Sequence, residues 1–498
     1  AHHYAQSGFQ PDGSISHHVS NGTDAAMAAY GFEWLTDLNT GFNYFKNTPY
    51  EVPGENFQFE IDRLLNIYPL FFYKQRMDNL IAGRSFMQDP KSFTLKTYPK
   101  GVNSLLKGVS KRTKIEGADS LRALVKALKA GRHETTATVP FWVNEYLLHR
   151  QGNENGKQPF FVSLKLKSER TVGAEDFDKK VRKSWHMGYG IMQTKVKGDE
   201  YDVPVLAQFD WHALPGLTEE WRKDPLPLKG GAQASKPGAN KVAGVLADGT
   251  AGMAIYHHLT KEKYSSAQAF KSYGFVGEHA ISQGSAISRH RKGTGENITT
   301  FIDQGALSSP LTICVDGKTT TIDAGQSVDL TFTSSKPMWM HIGAKGYVVV
   351  PEGESTLRVV TGSNVNVTDP AYKFKGKRGP GYILALDHGV NPAAGTDEYA
   401  YAVLPNANAE AMPALAADFA KDFTFVRNGA NAHALSSHSN GLHQFAFFAP
   451  SSIKAGDITA TASAPSQLML RETADAYILS AGNPAPDDKN VTSLTFTL

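Results

Sequence analysis

The chain holds one cysteine, Cys314, in 498 residues, which excludes any intramolecular disulfide. It lies in the apolar run LTICVDG, where a small buried hydrophobe is expected rather than a nucleophile. No stretch of about 18 apolar residues occurs, so no transmembrane helix is expected. Also missing are an HExxH zinc helix, a phosphate-binding P-loop, a GxSxG nucleophile elbow and a dinucleotide fingerprint between strand and helix. Those absences remove many common enzyme classes. The adjacent histidines His2-His3 and His257-His258 make no ready metal site, because strand neighbours face opposite ways; neither metal nor cofactor is expected. Nor is there an excess of one charge: 51 Lys+Arg against 48 Asp+Glu leave +3. Net charge therefore points to neither nucleic acid nor membrane, and a polyanionic ligand would need a local basic lining.

What is present is ordinary globular composition, 41% hydrophobic and 20% charged, at a length suited to two to four domains. Without disulfides, stability has to come from large cores, which this length permits. The chain opens at Ala1 with no initiator Met and no charged-then-apolar leader, so removal of upstream sequence is expected. Sequons at Asn21, Asn297, Asn366 and Asn490 are candidate glycosylation sites and suggest a secreted, extracellular protein.

Apolar spacing predicts helices over 24–38, over 57–82 with Pro69 placed to kink it, over 117–130 and over 138–150. Gly83 suits the end of the second helix and sets Arg84 just beyond it. From about Gln158 the pattern turns strand-like, beginning with the alternating run FFVSLKLK and continuing through Gly, Asn, Asp and Pro turns. Residues 225–241 are Gly/Pro/Lys-rich, and an exposed loop is expected there. The helix-prone string AEAMPALAADFAKD after Asn406 introduces a last β segment. The expected class is α+β multidomain: a helical part over 1–155, a large antiparallel β part over 156–405 and a small β part over 406–498.

The stretch Asp12 to Trp34, DGSISHHVSNGTDAAMAAYGFEW, is a polar loop with a histidine pair followed by a small-residue helix presenting Tyr30. A loop histidine and a surface tyrosine with no shared task is the plain alternative. Four strings resolve the ambiguity together. DGSISHH…AAYGF, LIAGR at Leu80 to Arg84, WHMGYGIM at Trp185 to Met192 with DWHALPGLT at Asp210 to Thr218, and ALDHGVNPAAGTDEYAYAVLPN at Ala385 to Asn406 resemble the motifs of polysaccharide lyase family eight, in one order over nearly the whole chain.

That resemblance implies an α/α toroid, incomplete in this chain, followed by antiparallel β-sandwich domains with the cleft at the toroid mouth. It implies β-elimination at uronic acid residues, giving 4,5-unsaturated products. The chemistry needs neutralisation of the uronate carboxylate, a base for the C5 proton and an acid for the departing O4. In glucuronate and mannuronate the C5 proton and O4 lie on one side, so a single residue can do both jobs. Tyr30 matches the family's residue for that task. Free tyrosine titrates at about 10, so it needs nearby positive charge to act as base. His18 and Arg84 match the residues that would supply it, with His17 as the neighbouring alternative to His18. Trp211 and His212 in the LPG string, and Trp34, are candidate substrate contacts, although large aromatics in helices usually pack inward.

The sequence departs from the family in three respects. The His18-to-Tyr30 spacing is several residues longer than usual and carries the Asn21 sequon. The family's Glu-Asn pair falls at about Lys180-Val181, leaving Glu175 as a substitute carboxylate. Its carboxylate-neutralising Asn lies well upstream of the catalytic His, and only 17 residues precede His18, so a separate or removed helical segment is an expected partner. The expected substrate is polymannuronate, with hyaluronan or chondroitin as the alternative. A non-catalytic carbohydrate-binding subunit is the rival of a different class.

Overall fold

The computed structural model describes residues 7–17, 24–25, 27, 30–74, 76–83, 98–111, 113–130, 132, 135–174, 185–206, 208–224, 236–260, 265–363, 379–393, 397–486 and 493–497. The N-terminal part is helical. A small antiparallel sheet of β1 (Gly8–Phe9), β2 (Ile15–His17) and β3 (Asp24–Ala25) precedes α1 (Tyr30–Phe45), α2 (Gly54–Asn66), α3 (Tyr98–Gly108) and α4 (Ala118–Lys129). In α2 the buried positions Phe57, Glu60, Ile61 and Leu64 recur at helical spacing and face inward. Phe57 meets Phe42 of α1 edge-on at 4.8 Å. Gly117 starts α4 at φ +77°, where a Cβ would come within 2.8 Å of Leu65 Cδ1. Among the described residues no helix is long and apolar enough to cross a membrane.

Three expected helices are revised. The first begins at Tyr30 rather than Asp24, because Asp24 and Ala25 are spent pairing with His17 and Ser16. The second stops at Asn66. Pro69, which has no N–H and restricts the residue before it, sits in a 3-10 turn, Tyr68–Phe71, and a hairpin follows of β4 (Phe72–Tyr73) and β5 (Arg76–Met77). Gly83, at φ +53°, therefore follows a 3-10 turn over Asn79–Ile81 rather than a long helix. The third is not helical at all. Residues expected as a helix over 138–150 form β6 (Ala137–Phe141), a turn over 142–145, and β7 (Tyr146–Gln151). Every residue of β7 is buried, which erases the alternation that marks a half-exposed strand. Pro140 is accommodated because β6 is the edge strand of the sheet β6-β7-β8-β9, completed by β8 (Phe160–Lys165) and β9 (Ile191–Lys195).

This four-stranded sheet is the seat of the helical part. Arg150 of β7 is fully buried, and its guanidinium donates to the carbonyls of Pro69 (3.3 Å), Leu70 (2.8 Å) and Phe72 (2.7 Å). Burial draws its pKa down to about 9. Tyr73 Oη donates to Pro159 O at 2.8 Å and Val196 O at 2.7 Å. Beneath them Lys195 pairs with Asp78 at 2.6 Å, and Tyr146 Oη donates to the second Asp78 oxygen at 2.9 Å.

The β part holds a nine-stranded antiparallel sheet, running from Ala243–Ala247 at one edge to Lys318–Ile322 at the other, and a five-stranded antiparallel sheet between Thr218–Glu220 and Val328–Ser334. The side chains of Phe301, Leu357, Val359 and Leu384 from the second sheet share one core with Tyr347, Tyr401 and Met340 from the first. The helix Met412–Asp422, anticipated from its sequence, buries Met412, Ala416 and Phe419 on a separate core before the last strands. Those strands make one five-stranded and one three-stranded antiparallel sheet.

Candidate active site

The loop that carries the histidines is built by Asp12. Its Oδ1 accepts from Ser14 N (3.0 Å) and Ser14 Oγ (2.6 Å), closing the turn, while Oδ2 accepts from Val143 N at 2.8 Å. Burial pushes this carboxyl up, against those hydrogen bonds, which pull it down. Gly13 takes φ +85° at the tip. In β2 the side chains then alternate. Ile15 is buried, Ser16 points to the opposite face, and His17 stacks on Tyr30 with ring centroids 4.2 Å apart and planes 14° from parallel.

Tyr30 is the first residue of α1 and is half-buried. One turn further along, Trp34 is 43% exposed, and its ring meets Phe9 edge-on at 5.1 Å. Phe9 in turn meets Phe59 at 5.1 Å, and the Arg63 guanidinium lies over Phe59 at 3.4 Å. An open aromatic surface thus continues from the imidazole–phenol pair. That pair joins a group able to hold positive charge to a phenol able to move a proton.

The structure joins Tyr30 to His17. His18, Arg84 and Glu175, and the sequons at Asn21, Asn366 and Asn490, lie outside the described residues. Trp211 and His212 are buried, at 4% and 1% exposure, with His212 Nδ1 3.1 Å from Asp210. The LPG string is pressed against the WHMGYG string so closely that a Cβ on Gly216 would lie 2.3 Å from Gly190 O. Beside them Glu219 lies buried with its Oε2 3.6 Å from His258 Nε2 and its Oε1 accepting from the backbone N–H groups of Ser266 and Ala267. The His258 charge and the backbone donors outweigh the cost of burial and bring it down to about 2, while burial takes His186 down to about 3. Asn297 donates from Nδ2 to both Asp387 oxygens, at 2.8 and 2.7 Å. Among the described residues no three His, Cys, Asp or Glu side chains are grouped to hold a metal ion.

One group escaped the sequence reading. Asn144, fully buried in the turn between β6 and β7, donates to Ser14 Oγ at 2.7 Å and accepts from Ser16 Oγ at 3.1 Å. Next to it Glu145, at φ +49°, accepts from Ser168, Arg170 (2.6 Å) and Thr171 (2.6 Å). Expecting a helix here hid both. The pair Asn-Glu at the centre of FWVNEY, between two apolar runs, was the available turn signal.

Comparison with known proteins bears on the family and the fold. Residues 136–416 match the family model described as polysaccharide lyase family 8, super-sandwich domain. Chondroitinase-AC of Pedobacter heparinus is 26% identical over 411 residues, 82% of this chain and 54% of the relative. The chain thus spans about half the length of the curated relative it matches. A chondroitinase AC lyase solved with oligosaccharides superposes with a TM-score of 0.78 at 20% identity, covering 99% of this chain and 70% of the other. Paenibacillus xanthan lyase gives 0.77 at 18% identity, with 98% and 48% covered. The Streptomyces coelicolor A3 chondroitin AC lyase in complex with chondroitin sulphate gives 0.72 at 20%, with 98% and 66% covered. At these identities the solved structures establish the fold, and the family match runs over more than half of the sequence: the chain belongs to polysaccharide lyase family 8.

Proposed function

We propose that this chain carries the proton-transfer pair of a lyase that cleaves a uronate-containing polysaccharide by β-elimination. The observation that carries the reading is the stacking of His17 on Tyr30, within a chain of this family. Tyr30 takes the C5 proton and returns it to O4. His17 or His18, with Arg84, supplies positive charge that lowers the cost of the phenolate and of the developing aci-carboxylate. His17 is favoured here by its contact with the ring. Trp34 offers a stacking face one helical turn away; Trp211 and His212, being buried, are read as supporting loops rather than touching substrate.

The favoured substrate is a glycosaminoglycan of the chondroitin type, on the names of the relatives, with the similar uronate polymer hyaluronan and xanthan-like polymers next. Polymannuronate, the expectation from sequence, shares the C4 and C5 configuration but has no counterpart among these relatives. The helical part is read as a portion of an α/α toroid, with the sandwich starting near β6 rather than at 156. Exposed Tyr44, Phe45 and Tyr50 mark where further helices would sit. Secretion and glycan attachment at Asn21, Asn366 and Asn490 belong to the same proposal, Asn297 being held by Asp387.

The test is incubation with chondroitin, hyaluronan, xanthan, polymannuronate and polyguluronate, following the ultraviolet absorbance of unsaturated uronates. Activity on chondroitin or hyaluronan that is lost in Tyr30→Phe supports the reading. Binding without product on any polymer favours a carbohydrate-binding subunit, and full activity of Tyr30→Phe overturns the assigned mechanism.

A further inference from the structure

We propose that Asn144 is a positioning residue, which sets the strand carrying His17 so that the imidazole lies over Tyr30. β2 is three residues long, and its ladder comprises two residue pairs to β1 and two to β3. Such a ladder specifies register weakly, because slippage costs few bonds. The strand's other face supplies what the ladder lacks. Ser14 leads into β2 and Ser16 alternates with Ile15 and His17. Both serine hydroxyls are held by the one amide of Asn144, Nδ2 donating to Ser14 (2.7 Å) and Oδ1 accepting from Ser16 (3.1 Å). Fixing two alternate side chains fixes the opposite face, and His17 is on it.

Asn144 can act as a reference point because it is itself immobilised. Its carbonyl accepts from the buried Lys165 ammonium at 2.7 Å, and the adjacent Val143 N–H grips Asp12 at 2.8 Å. Glu145 is bound on the other side by Arg170 and Thr171, and its carbonyl accepts from Leu166 N at 2.9 Å. The same turn therefore ties the histidine strand to the segment 166–174 that leaves the four-stranded sheet. The task needs a donor and an acceptor on one short side chain. Aspartate lacks the donor, alanine lacks both, and glutamine carries the amide one methylene too far.

The test compares wild type, Asn144→Ala, Asn144→Asp and Ser16→Ala, with Ser437→Ala as a remote control that loses a hydrogen bond to Asp422 in the C-terminal sheet. Histidine labelled at Cε1 is observed by NMR, with the His17 signal assigned through His17→Gln. Stacking on Tyr30 displaces that signal upfield in wild type and in Ser437→Ala. In Asn144→Ala and Asn144→Asp the displacement is lost, and in Ser16→Ala it is reduced. For catalysis the inference rests on the lyase reading: kcat falls by about tenfold to a hundredfold with KM within about twofold, as for a misplaced but intact group. If Asn144→Ala fails to fold, Ser16→Ala decides. An unchanged His17 signal in the folded variants, or an equal change in Ser437→Ala, overturns the proposal. A wild type that cleaves no polymer overturns the lyase reading and leaves the NMR result to judge Asn144.

Discussion

Glu60 offers a test of the helical core by pH. It lies on the inward face of α2 with Phe57, Ile61 and Leu64, at 1% exposure, and neither carboxylate oxygen has a hydrogen-bond partner among the described residues. Burial pushes its carboxyl from 4.5 up to about 8, with Asn39 the neighbour that opposes the shift. The folded state therefore holds a proton that the unfolded chain releases above about pH 4.5. Stability is highest below the unfolded value, falls as pH rises through the window up to about 8, and is level beyond it. A rise from 4.5 to about 8 corresponds to at most about 5 kcal/mol, reduced by relaxation around the charged form. Glu60→Gln keeps the shape and removes the titration. Urea unfolding of both proteins at pH 5, 7 and 9 isolates the effect, because every other titrating group cancels in the difference. The variant should match wild type near pH 5 and exceed it by several kcal/mol at pH 9. Parallel pH profiles for the two proteins would refute the reasoning.

Three further outcomes follow from the packing. Lys195→Met leaves the Asp78 charge buried with Tyr146 and should cost about 3–5 kcal/mol in denaturant unfolding, whereas Asp78→Asn with Lys195→Met should recover most of the loss; strictly additive costs would contradict a coupled pair. At Gly173 an added Cβ would lie 1.7 Å from the Met187 backbone oxygen, so Gly173→Ala should cost about 3 kcal/mol or more by forcing main chain apart, with an unshifted unfolding midpoint as the contrary result. Asn297→Asp exchanges two hydrogen bonds for facing carboxylates and should lower stability by about 1–3 kcal/mol, less at acid pH; with both N–H groups committed to Asp387, wild-type Asn297 should be found unglycosylated by peptide mass spectrometry.

Legibility in the sequence followed the solvent. The helix opening at Gly117 and the helix after Asn406 were readable because each has a wet and a dry side, and the run from Phe160 because Ser163 and Lys165 alternate with apolar residues even though all of β8 is buried. β7 and the stretch from Tyr68 to Phe72 were not, because burial on all sides removes periodicity. At the proposed site, Tyr30 and the histidine pair were singled out by the family resemblance rather than by spacing, and the stacking of Tyr30 on His17 depends on which face of a short strand meets α1. Asn144 was invisible for a different reason. Its partners are Ser14 and Ser16, about 130 positions away, and no local pattern encodes a hydrogen bond across that separation.

The guanidinium of Arg150 bears on how the chain acquires its shape. The carbonyls of Pro69, Leu70 and Phe72 turn inward at the point where α2 gives way to the 3-10 turn, and the donor that satisfies them arrives from a strand some eighty residues later. Until β7 is in place, that corner of the backbone keeps its water, since burying unpaired carbonyls is costly. The corner after α2 is therefore completed only together with the sheet. A fragment ending before β6 would thus be a set of helices without a settled corner, and the helical part of the molecule inherits its order from the part that follows it in the chain.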